Sequence, residues 1–220
     1  LKQSLKKTLP MARMQYAPDR DQLYYLRYAT GLRNGNVNAP LSPFVYQLVH
    51  PTGDGEQYET YSSDYLQGLE LGAKQALRDG TWIVNSAIYY NHWTDLQVII
   101  RDPLALTENV GSARSYGLEV ETFLNFSPRW ATFLGGSLNK AELTQSIETA
   151  PPTLISPAQT IEAGSRIPYA QAYSFFAGAS YFRPAWRDTT FNLRLSWTYT
   201  GPYSQFFLRT EAGTAHVRSY

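Results

Sequence analysis

The sequence predicts an all-β fold, an antiparallel up-and-down transmembrane β-barrel fragment of about eight strands with alternating short turns and long loops. Three observations carry that expectation. Side-chain polarity alternates with period two rather than 3.6, as in strands with one apolar and one polar face. Tight turns and long connections alternate along the chain, as in barrels that cross a membrane. Aromatic residues recur eight positions apart on the apolar face.

Composition narrows the class. Charged residues make up 17% of the 220, aromatics 15%, and the formal net charge is +1. About 25% charge is usual in a soluble domain, and near neutrality removes the electrostatic case for nucleic acid. Cysteine is absent, which excludes disulfide scaffolds, thiolate zinc sites and cysteine nucleophiles. Mean hydropathy is -0.36, and no apolar run approaches the roughly 18 residues of a membrane helix. Any crossing must therefore use strands. Residues 1–7 are basic without an apolar signal core, and they read as the interior of a longer chain.

The strands follow in order. Ala12, Met14 and Tyr16 oppose Arg13 and Gln15, and Tyr24, Leu26 and Tyr28 oppose Tyr25, Arg27 and Ala29. Leu69, Leu71 and Ala73 oppose Glu70, Gly72 and Lys74, and Trp82, Val84, Ile88 and Tyr90 oppose Asn85, Ala87, Tyr89 and Asn91. Leu118, Val120 and Leu124 oppose Gly117, Glu119 and Glu121. Residues 130–143 are strand-like with an ambiguous phase. Tyr173, Phe175, Ala177, Ala179 and Tyr181 oppose Ser174, Phe176, Gly178 and Ser180. The clearest alternation is the last, where Phe191, Leu193, Leu195, Trp197 and Tyr199 oppose Asn192, Arg194, Ser196, Thr198 and Thr200.

Short turns are expected at residues 17–21, 78–80, 125–129 and 183–188, and long segments at 32–58, 100–108, 144–168 and 201–217. Trp82 and Tyr90, Tyr173 and Tyr181, and Phe191 and Tyr199 are each eight apart. Eight tilted strand residues rise roughly 20 Å, nearly the height of an apolar membrane band, so each pair sets one ring at each interface. Aromatic rings favour that boundary. A soluble β-sandwich also alternates, but its turn signals lack this asymmetry. On the membrane reading, Arg13, Arg27, Glu70, Lys74, Glu119, Glu121 and Arg194 line a lumen.

Four segments carry a family resemblance. Residues 28–38 (YATGLRNGNVN) resemble the strand-to-loop stretch "Y-A-x-x-x-G-(aromatic or Leu)-R-x-G" of TonB-dependent receptor barrels. Residues 69–74 (LELGAK), with their hairpin partner at 85–95 (NSAIYYNHWTD), resemble the "E-L-G-x-K" strand. Residues 109–121 (NVGSARSYGLEVE) are similar to "N-x-G-x-A-x-x-x-G-x-E-x-E", and residues 164–170 (GSRIPYA) resemble "G-x-x-(Ile/Leu)-P-x-A-P", with Gln171 where the family usually has Pro. The order is the family's. The resemblance implies that residues 1–220 are part of a plugged outer-membrane barrel of about 22 strands, with the plug, the TonB-box segment and the last strands outside the sequence. It further implies import of a scarce ligand, most often a ferric siderophore. The implied partners are outer-membrane lipid, an iron chelate, and TonB acting only through the plug.

Chemistry beyond transport finds little support. Glu119 and Glu121 lie about 7 Å apart on one strand face, a separation some glycosidases use. No nucleophile, base or cleft accompanies them, so no enzyme is expected, and the pair reads as a carboxylate ladder facing Lys74 or Arg194. His50, His92 and His216 lack partners at i+2 or i+4, so no local metal site or cofactor is expected. Residues 134–137 (LGGS) precede no helix that would cradle phosphate. Phe44, Tyr46, His50, Tyr203, Phe206 and Phe207 sit in long segments at the barrel mouth and are the candidates for contacting a flat, hydrophobic chelate; packing among the loops is the alternative. A passive porin-like barrel and a secreted soluble β-sandwich module are the competing functions.

Overall fold

A computed structural model describes residues 6–39, 59–101, 105–148, 160–184 and 189–205. In chain order the strands are β1 (Met11–Asp19), β2 (Gln22–Arg33), β3 (Asn36–Val37), β4 (Thr60–Tyr61), β5 (Asp64–Leu77), β6 (Trp82–Thr94), β7 (Gln97–Arg101), β8 (Ala105–Asn109), β9 (Ala113–Ser127), β10 (Trp130–Leu143), β11 (Ile147–Glu148), β12 (Thr160–Ile161), β13 (Tyr173–Pro184) and β14 (Thr190–Thr200). Eight of these form one sheet in the order β1-β2-β5-β6-β9-β10-β13-β14. Every pairing within it is antiparallel, so the sheet is an up-and-down meander without crossovers. The remaining strands form three small hairpins, β3–β4, β7–β8 and β11–β12, set in the long connections. Sequence reading treated those connections as plain loops. No second large sheet packs on the first among the described residues, which overturns the β-sandwich alternative.

Directly paired residues of antiparallel strands share a face, so the register sorts the side chains. Arg13, Arg27, Glu70 and Tyr89 lie in one row. Asn85 pairs with both Lys74 and Glu121, and Ala87 pairs with Gly72 and Glu119. All the polar-face residues expected from alternation therefore lie on one side. The register also settles the phase of β10. Ser137 pairs with Glu119 and Ser174, and Leu138 pairs with Leu118 and Tyr173, so Leu134 and Leu138 join the apolar face and Phe133 joins the polar one.

The apolar face is exposed, with Leu71 51%, Ile88 52%, Leu138 52% and Leu195 67% accessible. The buried apolar cluster is small: Leu96, Val110, Ala113, Leu143 and Ile161, with Trp93, Val98, Ile147 and Ile167 against it. It sits at the long-loop end, between the hairpins and the ends of β9 and β10. Among the described residues, the middle of the sheet has no protein core on its apolar side, an arrangement that suits an apolar solvent.

The apolar face crosses the register obliquely. Tyr24, at the turn end of β2, shares a row with Ala73, Ser86, Val120, Gly136, Phe175 and finally Tyr199, at the loop end of β14. The row that begins at the lower edge of the apolar band thus ends at its upper edge. On β2 the matching upper position is Leu32, eight residues from Tyr24 (32 − 24). Eight residues at about 3.3 Å against six strand steps at about 4.8 Å give a tilt of roughly 40°, within the range of membrane barrels.

Candidate functional site

The polar face carries an open groove of about 680 Å³, lined from β2, β5, β6 and β9. Arg27, Glu70, Lys74, Glu119 and Glu121 line it, with Tyr25, Asn85 and Tyr89 between them. Five of the seven residues expected on the lumen wall are thus brought together. Arg13 lies beside the groove on edge strand β1, its guanidinium 5.0 Å from the Tyr25 ring centre. Arg194 is elsewhere. It stands 4.9 Å over the Phe133 ring, on β14, so it does not face the glutamates as expected. Lys74 shares the row of Glu121, with Asn85 between, whereas Glu119 lies in the row of Ala87 and Gly72.

Hydrogen bonds fix one side of the groove and leave the other open. The Tyr25 hydroxyl donates to Glu70 Oε1 at 2.7 Å, and Arg27 Nη1 approaches Glu70 Oε2 at 4.0 Å. The Tyr89 hydroxyl donates to Asn139 Oδ1 at 3.1 Å, reaching across β9. It can do so because Gly117 lies beneath it; a Cβ there would collide with the Tyr89 ring and the Leu138 carbonyl. Tyr25 likewise lies over Gly72, Phe176 over Gly135, and Phe133 over Gly178, each a direct cross-strand pair. These glycines let large rings lie flat along the wall, which is why apolar Phe133 and Phe176 are tolerated there. Glu119, Glu121 and Lys74 are exposed and make no hydrogen bond or ion pair with other described residues. They present two carboxylates and one ammonium to the groove.

The loop end is held by polar clamps that sequence reading missed. Asp64 is 1% exposed. Arg33 Nε donates to Asp64 Oδ1 at 3.1 Å and to Oδ2 at 2.9 Å, and Nη2 also contacts Oδ2. The Gln97 amide donates to the same carboxylate at 3.1 Å, and Gln97 Nε2 donates to the Ser62 carbonyl at 2.8 Å. Asn109 accepts from Ser62 N at 2.7 Å and donates to the Asp95 carbonyl at 2.7 Å. Asn38 donates to the Thr107 carbonyl at 2.8 Å and accepts from the Thr107 amide at 2.9 Å. The first two long connections are therefore stitched to each other. Arg33, Asn38 and Asn109 stand in quoted motif segments, so a signal was present in the sequence, but their partners were not. Burial pushes the Glu108 carboxyl of β8 up from its usual range.

Of the mouth candidates, Tyr203 is described: it is 46% exposed and its ring lies 6.1 Å from that of Tyr169. That is contact among loops, with the Tyr169 amide also donating to the Ser204 carbonyl at 2.7 Å. Phe44, Tyr46, His50, Phe206 and Phe207 lie outside the described residues. No group of three or more His, Asp or Glu suited to a metal occurs among the described residues.

Comparison with known proteins adds the family. The family described as "TonB dependent receptor-like, beta-barrel" matches residues 2–220. The fold is similar to that of the ferric yersiniabactin uptake receptor FyuA from Yersinia pestis, with a TM-score of 0.64 and 21% identity, over 89% of this chain and 26% of that one. It is also similar to the siderophore receptor PiuA from Acinetobacter baumannii, with a TM-score of 0.55 and 19% identity, over 78% of this chain and 23% of that one. The chain thus spans about a quarter of the length of these solved structures. Comparison with curated proteins finds no match.

Proposed function

The chain belongs to the TonB-dependent receptor-like β-barrel family, and from that membership we propose that it is part of the wall of an outer-membrane receptor importing a ferric siderophore. The observation that carries the reading is the family match along residues 2–220. The sorting of side chains agrees with it. Eight strands put no Asp, Glu, Lys or Arg on the apolar face between the aromatic edges, and they keep Arg27, Glu70, Lys74, Glu119 and Glu121 on the opposite, groove-bearing face. A lipid-facing surface excludes charge, whereas a lumen tolerates it.

In this reading the wall does no chemistry. The apolar face meets the lipid. The unpartnered Glu119, Glu121 and Lys74 contact a plug held inside the barrel. The stitched connections form the mouth, where Tyr203 and the aromatic residues Phe44, Tyr46, Phe206 and Phe207 meet the chelate together with His50. TonB acts on the plug and not on this wall.

The test is uptake of labelled iron chelates by cells carrying the complete receptor. Deleting its gene should abolish uptake of one chelate, and so should removing TonB. Uptake that survives without TonB would point to the passive porin-like alternative.

A further inference from the structure

A second charged cluster lies on the opposite face from the groove. On the apolar side of β9 and β10 the last aromatic toward the loop end is Tyr116, which pairs with Lys140. One row further out, Arg114 pairs with both His92 and Glu142, and Glu142 bridges to Arg166 in the segment returning from the third loop. All five share the face of Tyr116, Leu118 and Leu138, so they stand on the outside of the sheet immediately beyond the aromatic edge. Glu142 is only 4% exposed. Arg114 Nε and Nη2 donate to its Oε1 at 2.9 and 2.6 Å, and Lys140 Nζ lies 2.8 Å from Oε2. The cations remain open to solvent, with side chains 45% and 57% accessible. Arg114 also leans on the Tyr116 ring, 6.0 Å from its centre. Arg166 is exposed and has no ion-pair partner among the described residues. Three cations around one buried carboxylate leave a net positive patch.

We propose that this patch is a docking site for the phosphate group of an outer-leaflet lipid. Three features point to lipid rather than to a protein or a soluble anion. The cluster is continuous with the apolar face at Leu118 and Leu138, so an amphiphile can lay its chains on that face while its headgroup reaches Arg114 and Lys140. Its height matches the headgroup region, directly above the aromatic edge. Its sign suits an anionic headgroup, and Glu142 holds the two cations side by side, as a phosphate with several acceptor oxygens requires. The inference rests on the apolar face being the lipid face, but not on the nature of the imported ligand.

The experiment uses the receptor at its full encoded length, folded in phosphatidylcholine bicelles. The probe is a glycolipid carrying phosphate monoesters, compared with its dephosphorylated form, and bound lipid is read by native mass spectrometry. The phosphorylated lipid should be retained preferentially. Arg166→Gln, which breaks no ion pair, should weaken its binding about fivefold, the effect of one cation at an anionic surface. The combined Arg114→Gln, Glu142→Gln and Lys140→Gln variant leaves no buried charge unpaired and should lose the preference altogether. Wild-type binding by both variants would overturn the proposal. So would equal retention of the dephosphorylated lipid, and displacement by inorganic phosphate at matched concentration would reassign the patch to a soluble anion. Heat-modifiable migration of each preparation reports folding in the lipid phase. A failure of the membrane reading itself would appear there and not in the lipid comparison.

Discussion

Asp64 shows how single residues hold the loop end in place. Its carboxylate is 1% exposed and depends on the Arg33 guanidinium and the Gln97 amide. Arg33→Ala leaves that charge with one donor, and because the arginine is itself half exposed the expected cost is about 1–3 kcal/mol. Hydrogen exchange at the Gln97 amide should accelerate accordingly, and Asp64→Asn in the same background should restore part of the loss. Unchanged exchange would show that the clamp contributes nothing. Glu108 gives a pH dependence of opposite sign to the usual carboxylate. Burial raises its folded value, so the folded hairpin binds the proton more tightly than the unfolded chain does. The stability this confers is full below the unfolded value and is lost as pH rises through the folded one. The β7–β8 hairpin is therefore expected to loosen from acid to neutral pH, and Glu108→Gln to remove the dependence. Exchange rates corrected for their intrinsic pH dependence would reveal a hairpin indifferent to pH.

β14 tests the two faces at the scale of an element. Leu195 lies midway between Phe191 and Tyr199 on the apolar side, which places it near the centre of the band. Arg194, its neighbour in sequence, points to the other side and stacks on Phe133. Leu195→Arg should destabilise the folded receptor in lipid by about 2–4 kcal/mol. Arg194→Leu should cost less than about 1 kcal/mol, chiefly the cation–π contact. Urea unfolding in lipid vesicles measures both, and equal losses would contradict the assignment of faces. β10 shows why such assignments need the register. Its text, WATFLGGSLNKAEL, places Phe133 and Leu134 side by side with glycines at 135 and 136, so both phases look half apolar. The pairs Gly135↔Phe176 and Phe133↔Gly178 explain the composition: each glycine on the polar face receives a ring from the neighbouring strand.

At the scale of the whole molecule, β1 and β14 are the two edges of the sheet, and all their residues are exposed. Lipid offers no hydrogen bonds to open edges, so such a sheet is not stable in a bilayer until its edges are paired. Residues 1–220 expressed alone with an export signal are therefore expected to give no heat-resistant monomer and no chelate uptake, whereas the complete receptor gives both. A heat-modifiable monomer from this chain alone would mean that eight strands can close on themselves. The oblique apolar band points the same way. A row running from Tyr24 to Tyr199 crosses the full height of the band in six strand steps, as strands tilted in a barrel do.

The sequence by itself determined the faces. Period-two alternation assigns Glu70, Glu119 and Arg194 to the polar side and Leu195 and Trp197 to the apolar side, because successive strand side chains must point opposite ways. It also determined the number of long strands and the alternation of short and long connections, since turn residues and loop length are local properties. Only the tertiary structure decided which polar residues meet. Lys74 shares a row with Glu121 while Arg194 lies strands away, and that depends on register summed over several pairings. The partners of Arg33 and Glu142 were equally hidden: Asp64 lies 31 residues from Arg33, and Arg114 lies 28 residues from Glu142. Alternation gives a side chain its direction, but not the strand or loop that returns beside it. The physical reason is that polarity is written residue by residue, whereas register is fixed by pairing along the whole strand.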